Sequence, residues 1–541
     1  MPLLLSEIRL TPDQDALDLK GVVAGLLQIP PSEITSLRIV RKNVDARHDV
    51  RILYQVEIAC ADENAVYQKC KKQKAFSIRR VETSLPSALT VHRSRFAKRP
   101  VVVGFGPAGI FASLLLARSG AEPIVLERGG PIRERAREVE SFWSQGVFLP
   151  DSNVCFGEGG AGTFSDGKLY TRKRSPEITL FLQELVDAGA PSEILYESRP
   201  HIGTDRLRRV ILNLRQKIEN LGGEVRFRNR MTDLLVRESR VCGVEVNGKE
   251  EIETDTVILA PGHGAGDTLK TLLKRGARME SKPLAMGVRV EHAQDIIDKA
   301  QYGRWAGHQQ LGPSDYRLTY KDHQFNRGVY SFCMCPGGRV IAANPESGSV
   351  VTNGMSTYRR NSGYANSGLV VTVRSDDFGE SGPLSGLAFL GEKERSAFRM
   401  GGENYSAPAQ RVTDFLRNRT SSTLPPVTYR PGVVSSDLNR LLPEFVSGSL
   451  KNALGAWGRK ISGFVSEDVV LMGVETRTSS PVRILRGEDY ASVSLKGLYP
   501  VGEGAGYAGG IVSSALDGVQ CIRILLNEFD VERQGIGSYE T

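Results

Sequence analysis

The chain has 541 residues, 40% of them hydrophobic and 24% charged, a composition that excludes a disordered or fibrous protein. At roughly 100–200 residues per domain, the length predicts about three domains. The net charge of +8 is uneven: residues 1–99 hold 17 of the 70 Lys and Arg and 11 of the 62 Asp and Glu, so the rest is nearly neutral and a uniformly basic nucleic-acid coat is excluded.

In chain order, alternation predicts a strand over 3–10. Helical spacing follows over 13–27, announced by Thr11, Pro12 and Asp13. Strands are predicted over 34–40 and 51–60, separated by the polar stretch 42–49. A helix over 64–72 and a strand over 76–81 complete the order βαββαβ, which predicts a ferredoxin-like α+β module over 1–95. Basic residues cluster at 69–74, at Arg79 and Arg80, and at 93–99. A ferredoxin-like sheet with basic edges can dock RNA. The predicted strands carry no RNP-type aromatic pair, so a solvated basic face is the simpler reading. Residues 84–99 read as a linker.

The apolar strand Val101-Val102-Val103 leads into Gly104-Phe105-Gly106-Pro107-Ala108-Gly109. A helix is predicted over 110–119 and a second strand over 123–126, ending in Glu127. Each part of this βαβ unit has a task. Gly104 allows the tight turn, Gly106 lets the backbone approach a pyrophosphate, and Gly109 lets helix and strand pack closely. The helix N-terminus offers free N–H donors to phosphate. Glu127 can accept hydrogen bonds from a ribose. Residues 157–162 repeat the glycine spacing, but Thr163-Phe164-Ser165-Asp166-Gly167-Lys168 does not open a helix. This stretch reads as a loop, either against a ligand or at the surface.

Strands are predicted over 224–227 and 234–246. A buried strand then ends in Ala260-Pro261-Gly262, a small-residue turn that a return to the first sheet would place beside Gly104. Region 280–480 is rich in strand-like runs, and 281–484 reads as an inserted β-rich substrate domain. A third glycine-rich stretch, 497–510, follows a strand and opens a helix over 511–528. Too few residues remain for a second βαβ half, so it should complete the first site.

Within the inserted region, Cys333 and Cys335 sit two apart on a predicted strand, where both thiols would face one side. They read either as a redox pair or as core packing. His263 reads as a proton donor or as a polar turn residue. Arg289, beside Glu291 and His292, reads as an anion-binding group or an ordinary ion pair. Asp166 and Lys168 could pair with each other. The seven cysteines are widely spaced and lack a CxxC, which argues against a disulfide scaffold or a structural zinc site. No pair of cysteines follows soon after the first βαβ unit, where only Cys155 occurs. No separate strand–GxGxxG–helix for a nicotinamide dinucleotide is present. The N-terminus lacks signal-peptide features, and no apolar run approaches the roughly 18 residues of a membrane span. A cytoplasmic protein without membrane partners is expected.

Three segments together, 104–109 with Glu127, 254–262 and 498–510, resemble those of flavoproteins of the glutathione-reductase fold. More narrowly, residues 156–170, 287–292, 332–338 and 351–355 resemble a family of uncharacterised FAD-dependent dehydrogenases of bacteria and plants. The family pattern after the Ala-x-Gly turn carries Ser and Arg where this chain has Gly264 and Gly266. The resemblance implies a Rossmann-like FAD domain made of 96–280 and 485–541. It implies an FAD-dependent oxidoreductase passing hydride between flavin N5 and a small-molecule substrate, with any NAD(P)H binding transiently. The alternative is a flavin-dependent RNA-modifying or RNA-binding protein docking through residues 1–99. The implied FAD contacts are Gly104, Gly106, Pro107, Ala108, Gly109, Glu127 and Arg128 at the first turn. Gly159, Gly160, Gly162, Thr163, Ser165, Asp166, Gly167 and Lys168 follow in the second loop. Ala260, Gly262, Gly502, Glu503, Gly510 and Ile511 complete the set. The N-terminus of the last helix would stabilise negative charge on reduced flavin.

Overall fold

The computed structural model describes residues 1–15, 18–73, 75–81, 96–171, 175–379 and 381–536. Most of the expected linker, including Arg93 and Arg95, lies outside them, as does Lys74.

The N-terminal sheet has the order Ile34–Asp45, Arg51–Cys60, Leu3–Leu10, Ser77–Arg80, antiparallel throughout. Its strict alternation shows best in Arg51–Cys60, where Ile52, Tyr54, Val56 and Ile58 are buried against helices Leu19–Leu27 and Glu63–Cys70. Two expectations change here. The helix expected over 13–27 is two, Pro12–Asp15 and Leu19–Leu27, because the Asp18 carboxylate caps the second by accepting from Lys20 and Gly21. The second strand runs on through the polar residues 42–45. The Lys42 backbone finds partners there, donating to the Tyr196 carbonyl and accepting from Ser198, and its Nζ meets Asp15 at 2.8 Å.

A five-stranded parallel sheet forms the centre, in the order Leu498–Pro500, Val257–Leu259, Val101–Val103, Ile124–Glu127, Glu224–Phe227. Layers on both faces bury Val101–Val103, Ile124–Glu127 and Val257–Leu259, which explains their apolar runs, while the edge strand Glu224–Phe227 is half-buried. Helix Pro107–Arg118 lies against helix Ile511–Ile536, and their apolar faces share one core. The hairpin Met231–Arg237 and Arg240–Val246, with Glu250–Glu253, makes a separate three-stranded sheet.

The middle of the chain builds a seven-stranded sheet: Thr319–Asp322, Arg327–Cys335, Tyr364–Val373, Leu284–Ala293, Val470–Glu475, Ala407–Arg411, Val433–Ser435. Helix Glu444–Gly458 buries Trp457 in its core. None of the seven cysteines forms a disulfide. Among the described residues, no helix is long and apolar enough to cross a membrane.

Candidate cofactor site

The site begins where parallel strands end. Gly104 follows Val101–Val103 with φ +95°, and a Cβ there would sit 2.2 Å from the Ala260 carbonyl. Only glycine fits between the two strand ends. Gly106 then caps helix Pro107–Arg118 without a side chain, and proline occupies the first helical turn. The first-turn N–H groups are therefore left without side-chain partners. Glu127, at the end of the next strand, is buried. One carboxylate oxygen accepts from Gly129 and Gly157, at 2.9 and 2.8 Å, and the other accepts from Phe105 at 2.9 Å. With about four acceptor positions on a carboxylate, one remains.

The second loop is held from behind by Arg135. This fully buried guanidinium donates to the carbonyls of Asn153, Val154, Gly157, Glu158 and Gly160 and to the Thr163 hydroxyl, at 2.7–3.3 Å. Burial lowers its pKa to about 10, so it stays charged at neutral pH. The loop's backbone then meets the first turn, since a Cβ at Gly160 would lie 2.9 Å from the Gly106 Cα.

The third contribution comes from Ala260–Ala265 and Gly502–Gly510. Gly502 donates to Asp517 at 2.8 Å, and helix Ile511–Ile536 starts after Gly510 at φ +120°. A Cβ on Gly262, Gly509 or Gly510 would meet no protein atom within 4 Å. Together these loops bound a cavity of about 1470 Å³, open solvent at its mouth included.

One end of this cavity is rich in titratable groups. His263 Nδ1 stands 3.8 Å from Glu503 Oε1. Burial and the charge of Arg477 hold His263 down at about 4. Burial pushes Glu503 up to about 7, against a backbone N–H from Gly510 and the charge of Lys282. Arg477 is itself paired with Glu394 at 2.7 Å and donates to the His263 carbonyl at 3.2 Å. Asp166 accepts from Arg360 at 2.5 and 3.0 Å and from Ser356. Its separation from Lys168, the pairing considered in the sequence, is 3.9 Å. Burial raises the Asp166 pKa, but Arg360 and Lys168 outweigh it and hold the carboxyl well below its usual range.

Of the residues implied to touch the cofactor, all but Gly109, Gly159 and Thr163 line this cavity. Gly109 packs on the Gly104 carbonyl, and Gly159 backs onto Thr163 and Ile211. The Thr163 hydroxyl faces Arg135 and the Glu158 carbonyl. His263 and Cys333 line the cavity, while Cys335 and Arg289 lie behind it. Arg289 is fully buried and pairs with Glu475 at 2.7 Å instead of its strand neighbour Glu291; its guanidinium is already occupied, which removes it as an open anion site. The ladder breaks between Phe332 and Cys335, so strict alternation does not set the two cysteines, yet both sulfurs lie 4.0 Å from Lys168 Nζ.

Arg135, Phe332, Asn353 and Arg477 were not among the sequence candidates. A signal for Arg135 was present. Ile132, Arg135, Val139, Phe142 and Trp143 recur at helical spacing and are the buried residues of helix Ile132–Gln145, so the arginine sits on the apolar stripe.

Residues 283–478 match the family described as FAD-dependent protein, C-terminal domain-like, and residues 2–61 match a domain of unknown function. A Clostridium beijerinckii protein described as uncharacterised is 43% identical over 539 residues, covering 98% of this chain and 100% of that one. Protein FixC of Escherichia coli K12 is 27% identical over 209 residues, 37% of this chain and 44% of FixC. The crystal structure of halogenase PltM aligns with a TM-score of 0.37 at 11% identity, covering 81% of this chain and 70% of that one.

Proposed function

For a chain that belongs to the same family as the Clostridium beijerinckii protein, we propose an FAD-dependent oxidoreductase acting on a small molecule. The observation that carries the reading is convergence. Two helix N-termini, at Pro107 and Ile511, and the acidic strand end Glu127 border one cavity.

The residues fit FAD on three counts. The N–H groups after Gly106 suit a pyrophosphate. The remaining acceptor position of Glu127 suits a ribose hydroxyl. The open space beside Gly262, Gly509 and Gly510 leaves a wall of bare backbone against which a planar ring can lie. We read the parallel sheet and its helices as a Rossmann-like FAD domain of the glutathione-reductase type, made of residues 96–280 and 485–541. Residues 281–484 are read as the substrate domain and residues 1–95 as a ferredoxin-like module.

When bound, FAD supplies two-electron hydride chemistry at N5. The chain's own groups supply the surroundings. The helix start at Ile511 and the Lys168 ammonium give this end of the cavity a positive potential, suited to negative charge on a reduced ring. Glu503 changes protonation near neutral pH and stands at the cavity wall, so it can hold or release a proton there. His263, neutral at that pH, keeps a second positive charge away from it. Arg477 fixes the His263 backbone.

The test is electron transfer both ways under anaerobic conditions. The flavin-loaded protein should bleach with a chemical reductant and recover its colour with a two-electron acceptor such as a quinone. A bound flavin that accepts no electrons, or returns them to no acceptor, would contradict the reading.

A further inference from the structure

Cys333 and Cys335 converge on one cation. Lys168 Nζ lies 4.0 Å from each sulfur and donates to the Met334 carbonyl between them. The strand achieves this by breaking its own ladder. Phe332 pairs with Gly368 and Cys335 with Asn366, so three steps on one strand oppose two on the other, which is a β-bulge. Cys333 absorbs the bulge at φ +45°, a conformation uncommon for a residue with a side chain. Arg289 Nη1 donates to the Cys333 carbonyl at 3.1 Å, and Cys335 Sγ stands 3.3 Å from the same oxygen. The result is one sulfur at the cavity wall and a second buried behind it.

Cysteines that merely fill a core require none of this. A bulge, a left-handed non-glycine residue and a nearly buried ammonium each cost stability. A cation shared by two sulfurs favours a thiolate, the nucleophilic form. The proton shared with Cys335, then Lys168 and Arg289 against the effect of burial, set the Cys333 pKa well below its usual value. Cys335 is pushed well above its own.

We propose that Cys333 and Cys335 form a redox-active dithiol that exchanges two electrons with the flavin through a reversible disulfide. The step rests on the FAD reading above. The Cys335 S–H bond breaks and one S–S bond forms between it and the Cys333 thiolate. Oxidised flavin takes both electrons and the released proton. In reverse, reduced flavin returns both, regenerating the Cys333 thiolate and the Cys335 thiol.

The test is an anaerobic reductive titration of the flavin-loaded protein, with flavin content measured first. The wild type should consume four electrons per flavin and Cys335→Ser two. Alkylation and mass mapping should find Cys333 and Cys335 protected in the oxidised protein and modified in the reduced one. A flavin-loaded wild type that consumes two electrons, with both cysteines alkylated in either state, would overturn the dithiol while leaving the FAD reading intact. A chain without flavin would overturn both.

Discussion

Glu503 Oε1 and His263 Nδ1 face each other at 3.8 Å across the cavity wall, and burial shifts them in opposite senses. Glu503 rises from 4.5 to about 7, and His263 falls from 6.5 to about 4. The stability consequences oppose each other. Between pH 4.5 and 7 the folded chain holds a proton on Glu503 that the unfolded chain has lost, so this contribution declines as pH rises. Between pH 4 and 6.5 the folded chain lacks the proton that unfolded His263 carries, so that contribution grows as pH rises. Glu503→Gln should remove the first term alone. Its Tm relative to wild type should climb across pH 4.5–7, by the equivalent of roughly 2–3 kcal/mol, and a flat difference would contradict the assignment. The same variant should lose any step near pH 7 in the rate of flavin reduction.

Gly104 and Gly106 separate fold from ligand. A Cβ on Gly104 would strike the Ala260 carbonyl at 2.2 Å, at a positive φ. Gly104→Ala should therefore destabilise the protein by several kcal/mol. A Cβ on Gly106 would meet only the Gly160 Cα, at an ordinary 3.7 Å. Gly106→Ala should cost the flavin-free fold less than about 1 kcal/mol yet weaken FAD binding by about tenfold or more. Thermal melts with and without FAD, together with flavin titrations, read both outcomes. Equal effects of the two variants on the flavin-free melt would contradict this division of roles.

Arg135 replaces a hydrophobic residue with a hub of carbonyl contacts. Arg135→Met keeps much of the volume and removes every donor, leaving several loop carbonyls buried without partners. A loss of about 3–5 kcal/mol is expected. Residues 153–163 should show faster amide hydrogen exchange, and flavin binding should weaken with it. A variant as stable as wild type would show that the loop holds itself.

Asp166 carries the charge balance of the second loop. Its carboxyl titrates below the ordinary value of 3.8, so its contribution is fully present above pH 3.8 and is lost as pH falls further. Asp166→Asn leaves Arg360 and Lys168 without their shared carboxylate. About 3–5 kcal/mol should be lost at neutral pH, with the gap to wild type narrowing in acid. A gap that widens in acid would contradict the pairing.

Local signals carried much of this site. The strand over 101–103, the glycine spacing after it and Glu127 form one short unit, and Val103, Gly104, Gly106 and Glu127 all line one cavity. Val257–Leu259 pairs in parallel with Val101–Val103, the return to the first sheet on which the expected position of the turn 260–262 depended. Other features depend on contacts that sequence spacing does not encode. Glu503 and His263 are far apart in the chain and meet only through the parallel sheet. Arg360 reaches Asp166 from 194 residues further along the chain. Alternation predicts Cys333 and Cys335 on one face, but the bulge in the pairing with Tyr364–Val373 and the approach of Lys168 to both sulfurs lie outside what spacing encodes. The capping of Leu19–Leu27 by Asp18 was readable in principle, but the continuous apolar spacing over 13–27 masked it.

The flavin content of the purified chain tests the central claim most directly. Protein purified under mild conditions, or reconstituted and then gel-filtered, should carry visible flavin absorbance. Denaturation should release one FAD per chain, identified as the dinucleotide by chromatography. A chain that stays colourless after reconstitution, while its fold remains intact by thermal melting, would contradict the account.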